Sequence, residues 1–361
     1  MRNKPLDPLI ALDGKPVQTL AEWKTQRRPE ILRLAQHYRF GYAPPEHLME
    51  GTPAPEVIIS DPMAADGAAT WKKLRVYLAP DKEVFVHLDL VTPNQGARPF
   101  PTFLGLGSPA GNYEKDKNAD WIKYIVSRGY SFASFRAGEG SGIYKYYQPI
   151  YQGASVDMGK GVQRPLNEWG HIAVWAWRAR RLIDVLRTQA DIAPDRIAVV
   201  GLSRYGQSAL WTAALDERIA MAVIHQGLAT FPNCLYQPTE WWTPALRAFE
   251  KLPEQLPIDL NCVVATLAPR PVLLSPSRKG AFNCYTESVD AYQRSCAVYE
   301  LMGLNITAPQ DPGHATDGLH GNGPLRLCVR GAGHSVILSD WQRWLDFSDE
   351  VMRKPDSRKN P

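Results

Sequence analysis

The chain has 361 residues, with 41 Lys+Arg against 37 Asp+Glu and a formal net charge of +4. Apolar residues make up 44% and charged residues 22%, the balance of a globular protein rather than a disordered or fibrous one. So small a charge, without a block of like-charged residues, argues against a nucleic-acid partner, and no apolar run approaches the ~18–20 residues of a membrane helix.

The N-terminus is interrupted by Arg2, Lys4 and Asp7 and has no apolar signal region. The protein is therefore expected to be cytoplasmic, or secreted or periplasmic if a leader has been removed. Helical apolar spacing over residues 22–38 stops at Gly41 and Pro44-Pro45. Residues 73–78 and 85–91 alternate apolar with polar, as half-buried antiparallel strands do. A different rhythm begins at Phe100. The apolar run 100–106 is followed by Gly107, a helix over 119–128 and a buried strand over 130–135. A long amphipathic helix is predicted over 168–189, a strand over 196–200 and a helix over 208–215. Strands over 219–224, 271–274 and 325–329 and a closing helix over 340–349 complete the series.

Strands alternating with helices predict an α/β fold: three layers, a mostly parallel central sheet and an antiparallel start. No repeat or low-complexity linker divides the chain, so a single domain over 1–361 is expected. It would carry an N-terminal extension over 1–45 and a Pro-rich insertion over 230–257. That insertion falls above the carboxyl edge of the sheet, where such folds bind ligands. The five cysteines (Cys234, Cys262, Cys284, Cys296, Cys328) are scattered without a Cys-x-x-Cys pair. Buried free thiols are expected, with no metal and no organic cofactor.

Residues 196–210, RIAVVGLSRYGQSAL, carry the strongest chemical signal. Four apolar residues run into Gly201, Ser203 and Gly206, then a helix-forming segment. A strand–turn–helix of this kind lifts a serine hydroxyl above the sheet edge and sets the next amides at a helix N-terminus, where they favour an oxyanion. The glycine after the serine comes one residue later than in Gly-x-Ser-x-Gly, with Tyr205 in its place. A serine merely capping the helix is the competing reading. In an α/β hydrolase the histidine comes last in chain order, after the final strand, and His334 lies there in Gly331-Ala332-Gly333-His334. Small neighbours would leave its imidazole mobile enough to approach the serine. A solvent-exposed loop histidine is the alternative. His225 reads as a structural histidine at a strand end, while His314 and His320 lie in a Gly-rich loop that could line a pocket.

The chain resembles the glucuronoyl esterases of carbohydrate esterase family fifteen, serine hydrolases of the α/β-hydrolase fold, as a divergent member. The matching stretches are RRPEILRLAQHYRFGYAPP (27–45), PFPTFLGLGSPAGNY (99–113), EWGHIAVWAWRARRLIDVL (168–186) and APDRIAVVGLSRYG (193–206). TLAPRPVLL (266–274), VYELMG (298–303) and GAGHSVILSDWQRWLDF (331–347) continue them. The family's elbow, Gly-Cys-Ser-Arg-x-Gly-Lys, is matched at Gly201, Ser203, Arg204 and Gly206. The resemblance implies Ser203 as nucleophile, His334 as base and the Arg204 guanidinium as an oxyanion donor, with Gly107 in the first glycine-rich loop helping to close the oxyanion hole. It also implies an ester of a uronic acid in plant cell-wall glycan as substrate.

Departures are equally specific. Gln207 stands where the family has a lysine that helps hold the uronic acid. Gln226 stands at one place of the triad acid, and Asn283 at the other. Glu287 is then the best remaining carboxylate, with Asp290 behind it; ring orientation by the amide of Asn283 or Gln226 is the alternative. Gln207, Gln226, Trp241 and Trp242 are the expected substrate contacts, with Tyr144, Tyr146, Tyr147 and Tyr151 on the rim. An acetyl- or other acyl-ester hydrolase, a catalytically weakened carbohydrate-binding homologue and, further off, a serine peptidase stay open as alternatives.

Overall fold

The computed structural model describes residues 6–44, 50–107, 119–136, 155–157, 163–230, 239–279, 284–306 and 315–352. Tyr144, Tyr146, Tyr147, Tyr151, Asn283 and His314 lie outside them.

The antiparallel start has one more strand than the alternation predicts. β1 (Glu56–Ala64) precedes β2 (Ala69–Tyr77) and β3 (Phe85–Pro93). β1 lies at the sheet edge with most of its residues exposed, and it contains Pro62, so it has no buried face to produce an alternating pattern. β4 (Phe100–Leu106) and β5 (Ser131–Phe135) are buried throughout, as parallel strands covered on both faces are. A short hairpin of β6 (Ser155–Asp157) and β7 (Gln163–Pro165) stands apart from the main sheet. β8 (Ile192–Leu202), β9 (Met221–His225), β10 (Val272–Ser275), β11 (Gly318–His320) and β12 (Leu325–Val329) complete the strands.

Ten strands form one sheet in the order β1-β2-β3-β5-β4-β8-β9-β10-β12-β11. The pairs from β5 through β4, β8, β9 and β10 to β12 are parallel; those at the two ends are antiparallel. Successive residues of β8 serve opposite cores. Ile197 and Val199 join one apolar cluster with Leu104, Leu182 and Trp211, while Ala198 and Val200 join another with Phe103, Val223, Trp341 and Trp344. Each fully buried side chain of this size contributes roughly 1.5–3 kcal/mol.

The helices are α1 (Leu20–Glu22), α2 (Arg28–Ala35), α3 (Asp120–Ser127), α4 (His171–Leu186), α5 (Arg204–Leu215), α6 (Leu260–Ala265), α7 (Cys284–Leu301) and α8 (Leu338–Met352). Helix α7 was not expected from the apolar spacing of residues 284–301. Among the described residues no helix is long and apolar enough to cross a membrane. Cys262, Cys296 and Cys328 are buried free thiols.

Residues 39–41 help build the face above the carboxyl edge of the sheet. Arg39 is fully buried, donates to Asp259 Oδ1 at 3.0 Å and to Ala229 O at 2.6 Å, and lies 4.4 Å from the ring centre of Trp242. Phe40 stacks on Trp211 at 4.3 Å. Gly41 passes so close to Trp169 that a Cβ would come within 2.2 Å of its backbone. These contacts seat the Trp241-Trp242 segment against the start of α4.

Candidate active site

Four parallel strands end at one edge, and the polar residues gather there: Ser203 after β8, Gln226 after β9, Ser277 after β10 and Arg330 after β12. Helix α5 starts immediately after Ser203, four residues earlier than its apolar spacing suggests.

Ser203 adopts φ 61° and ψ −125°, a conformation L-residues avoid and a sharp elbow requires. Its surroundings explain the glycines. A Cβ on Gly201 would lie 2.2 Å from Tyr205 O, and one on Gly206 would lie 2.9 Å from Gly201 O and from the Cα of Gly227. The second glycine is displaced along the chain because it is at 206 that the first turn of α5 meets Gly227. The same approach sets Gln226 beside the elbow, and Ser203 N donates to His225 O at 2.9 Å. Gln226 also has a positive φ, 45°.

His334 Nδ1 lies 2.9 Å from Gln226 Oε1. Gln226 Nε2 donates to Gly333 O at 3.3 Å, which orients the amide with its oxygen toward the ring. An amide oxygen only accepts, so the ring proton sits on Nδ1 and the Nε2 lone pair is left to act as a base. His334 as a residue is solvent-exposed. Loss of water from the inner side, and then the Arg330 cation, hold His334 below the usual histidine range. The loop is held rather than mobile: Ser277, Arg330 and His225 engage the carbonyls of Ala332, Gly333 and Ser335. His225 is wholly buried between Ser275 and Ser335, and burial pushes its pKa down to about 3.

Arg204 rests among three aromatic rings, its guanidinium carbon 5.0 Å from the Tyr205 ring centre, 5.1 Å from Trp241 and 5.9 Å from Trp175. Its Nη2 donates to Tyr205 OH at 3.5 Å, and its Nε is buried without a hydrogen-bond partner. Among the described residues no carboxylate pairs with it, so its charge is available to an anion. Gly107, at φ 66°, packs so tightly on Tyr205 that a Cβ would meet the ring at 2.5 Å. This brings the loop after β4 against the first turn of α5.

Three expectations are corrected. Glu287 does not take the triad place: it is buried in the first turn of α7 and accepts Thr230 N at 3.0 Å, while the Nδ1 position of His334 is filled by Gln226. Gln226 is correspondingly a partner of the base rather than a substrate contact. Trp242 is 3% exposed beneath Arg39 and offers no open face to a sugar, whereas Trp241 is half-buried beside Arg204. Gln207 is 1% exposed in α5. Asp290 lies farther along α7, with burial raising its pKa.

The residues missed from sequence are Arg330 and Asp340, both buried and joined at 2.8 Å. A signal was present. Asp340 shares an i, i+4, i+7 helical stripe with Trp344 and Phe347, an apolar face where a carboxylate needs a partner.

The family described as "Glucuronyl esterase, fungi" matches residues 79–229, the span from β3 through the elbow and Gln226. The carbohydrate esterase MZ0003, from an unknown prokaryotic organism, is 26% identical over 96% of this chain and 89% of its own. A 4-O-methyl-glucuronoyl methylesterase of Podospora anserina is 24% identical over 74% of this chain, which spans 54% of that protein's length. The solved glucuronoyl esterase from Solibacter usitatus superposes with a TM-score of 0.79 at 22% identity, covering 98% of this chain and 100% of that one, and shares the α/β-hydrolase fold. On these matches the chain is similar to glucuronoyl esterases over most of its length, at low identity, and shares their fold.

Proposed function

We propose that the protein hydrolyses a carboxylic ester of a uronic acid in a cell-wall glycan, through an acyl-enzyme on Ser203. Ser203 Oγ attacks the ester carbonyl carbon while His334 Nε2 takes the hydroxyl proton. The oxyanion is held by amides at the start of α5, by the Arg204 guanidinium and by the Gly107 loop. Collapse breaks the ester C–O bond, and His334 returns the proton to the departing alcohol. A water molecule then repeats the sequence on the acyl-serine and releases the acid.

One observation carries this reading: Gln226 holds His334 Nδ1 at 2.9 Å, one residue along from the carbonyl that accepts Ser203 N. A neutral amide thus stands in the place of the triad carboxylate. It preserves the tautomer the base needs but supplies no charge to the imidazolium. An acetyl or other simple acyl ester is the second reading, favoured by Gln207, a buried amide where the resemblance implies a lysine for the uronic acid.

A fluorophosphonate probe tests the mechanism, and paired assays on a methyl glucuronate ester and an aryl acetate test the substrate. Labelling of the parent chain, abolished in Ser203→Ala and His334→Ala with turnover reduced by about 10⁴-fold or more, is the expected result. Equal labelling in the alanine variants would sink it. Preference for the aryl acetate selects the second reading.

A further inference from the structure

The segment between β12 and α8 carries His334, and its backbone carbonyls are gripped one after another. Ser277 Oγ donates to Ala332 O. Arg330 Nη2 donates to Gly333 O at 2.7 Å and also to Ser335 O, and His225 Nε2 lies 2.9 Å from Ser335 O. Arg330 is 2% exposed, and its Nη1 donates to Asp340 Oδ2 at 2.8 Å. Asp340 is wholly buried, and the same carboxylate oxygen accepts Ile337 N at 2.9 Å. The ion pair therefore joins the end of the last strand to the first turn of α8 and closes the loop that holds the base.

Stability is a weak account of this pair. Buried ion pairs are often no better than apolar groups of the same volume. This one also leaves Arg330 Nε and Asp340 Oδ1 buried without hydrogen-bond partners. Its geometric effect is more specific: one guanidinium nitrogen bonds the carbonyls on either side of His334.

We propose that Arg330, locked by Asp340, is the positioning residue of the base, fixing the backbone on both sides of His334 so that a neutral amide suffices to aim the ring. This deepens the reading of Ser203 and His334 as nucleophile and base and rests on it. The planar fork is needed because a lysine ammonium lacks the rigid spacing that engages Asp340 and both carbonyls together. Among the described residues, the charged and titratable groups at the ring and along the loop that carries it are Arg330, Asp340 and Arg343 on α8, neutral His225 on β9, and Asp317, which accepts Gly331 N at 2.9 Å.

The test compares Arg330→Lys with the double variant Arg330→Met/Asp340→Leu in the full chain. The double variant removes both charges and fills their space, so its folding does not depend on an orphaned ion. In both, kcat on the preferred ester is expected to fall about tenfold or more, with KM kept within about twofold. Fluorophosphonate labelling slows in parallel, and thermal unfolding shows folded protein. The acid limb of the rate profile moves to higher pH in the double variant, which has lost the cation beside the ring, and stays in place in Arg330→Lys. A folded double variant with parental kcat overturns the proposal, as does a change confined to KM. If Arg330→Lys does not fold, the double variant decides alone. Activity surviving in Ser203→Ala would instead overturn the nucleophile assignment, so the two failures are told apart.

Discussion

Ser203 follows β8 in the middle of the sheet and His334 follows β12 near one edge, and the two places hold them by different means. At Ser203 the backbone does the work: a positive φ, two glycines with no room for a Cβ, and the first turn of α5 pressed against Gly227. At His334 the backbone is irregular, and the side chains of Ser277, Arg330, His225 and Gln226 hold it. The elbow is thus a local steric object. The base is a long-range polar one, whose partners come from three places in the chain, the ends of β9, β10 and β12. Perturbations at the elbow should act through distance and strain, and perturbations at the base through charge and pH.

The largest expected effect of this kind is at Arg204. Arg204→Met keeps the aromatic box filled but removes the cation proposed to hold the developing oxyanion. A loss of about 10²–10³ in kcat is expected on every ester tested, with KM little changed. A loss confined to uronate esters would show that Arg204 serves the substrate's sugar instead. Gly201→Ala comes next. Its Cβ would overlap Tyr205 O, so strand and helix must part, with a loss of about 10² in kcat and about 1–3 kcal/mol in stability. Parental kcat in this variant would mean the elbow has slack that the contacts deny.

Acid should attack the base's seat rather than the elbow. His225 has a pKa of about 3 when folded, against 6.5 in an unfolded chain, so the unfolded state binds the extra proton between those values. Stability from this group is therefore complete above about pH 6.5 and lost progressively as the pH falls toward about 3. Urea unfolding at about pH 7.5 and about pH 4.5 should show a loss of about 2–3 kcal/mol from this group. His225→Asn should unfold with that part of the pH dependence removed. An unchanged slope in the variant would place the acid-sensitive group elsewhere.

The same contrast explains what could be read from the amino-acid order. Residues 100–106 and 325–329 were located to the residue because short apolar runs between glycines and polar loops define buried parallel strands. Ser203 and the displaced Gly206 were legible because the elbow is a local pattern. Glu287 was the wrong partner for His334 because chemical type, a carboxylate, was weighed above position. Gln226, two residues beyond Ile224 at the end of a buried strand, was in the right place with the less obvious side chain. Arg330 and Asp340 meet across ten positions through a loop of no regular period, so no periodicity could join them.

Gln226 is where the two regions touch, and it gives the smallest and sharpest test. Gln226→Glu returns a negative charge to the Nδ1 side of the imidazole. The gain should fall well short of the ~10⁴ lost when an amide replaces a triad aspartate, because part of that loss comes from the wrong tautomer, which Gly333 O prevents here. One carboxylate oxygen would now face Gly333 O, a repulsion that the nearby Arg330 cation offsets. A rise in kcat of about tenfold is the balance. The sign of the pH effect is unambiguous. A carboxylate favours the protonated ring, so the folded pKa of His334 rises and the acid limb of the rate profile moves to higher pH. The parent, with an amide and a neighbouring cation, holds its base neutral to lower pH. A Gln226→Glu variant with lower kcat and an unmoved acid limb would mean that the amide's grip on Gly333 O, not the missing charge, sets the rate.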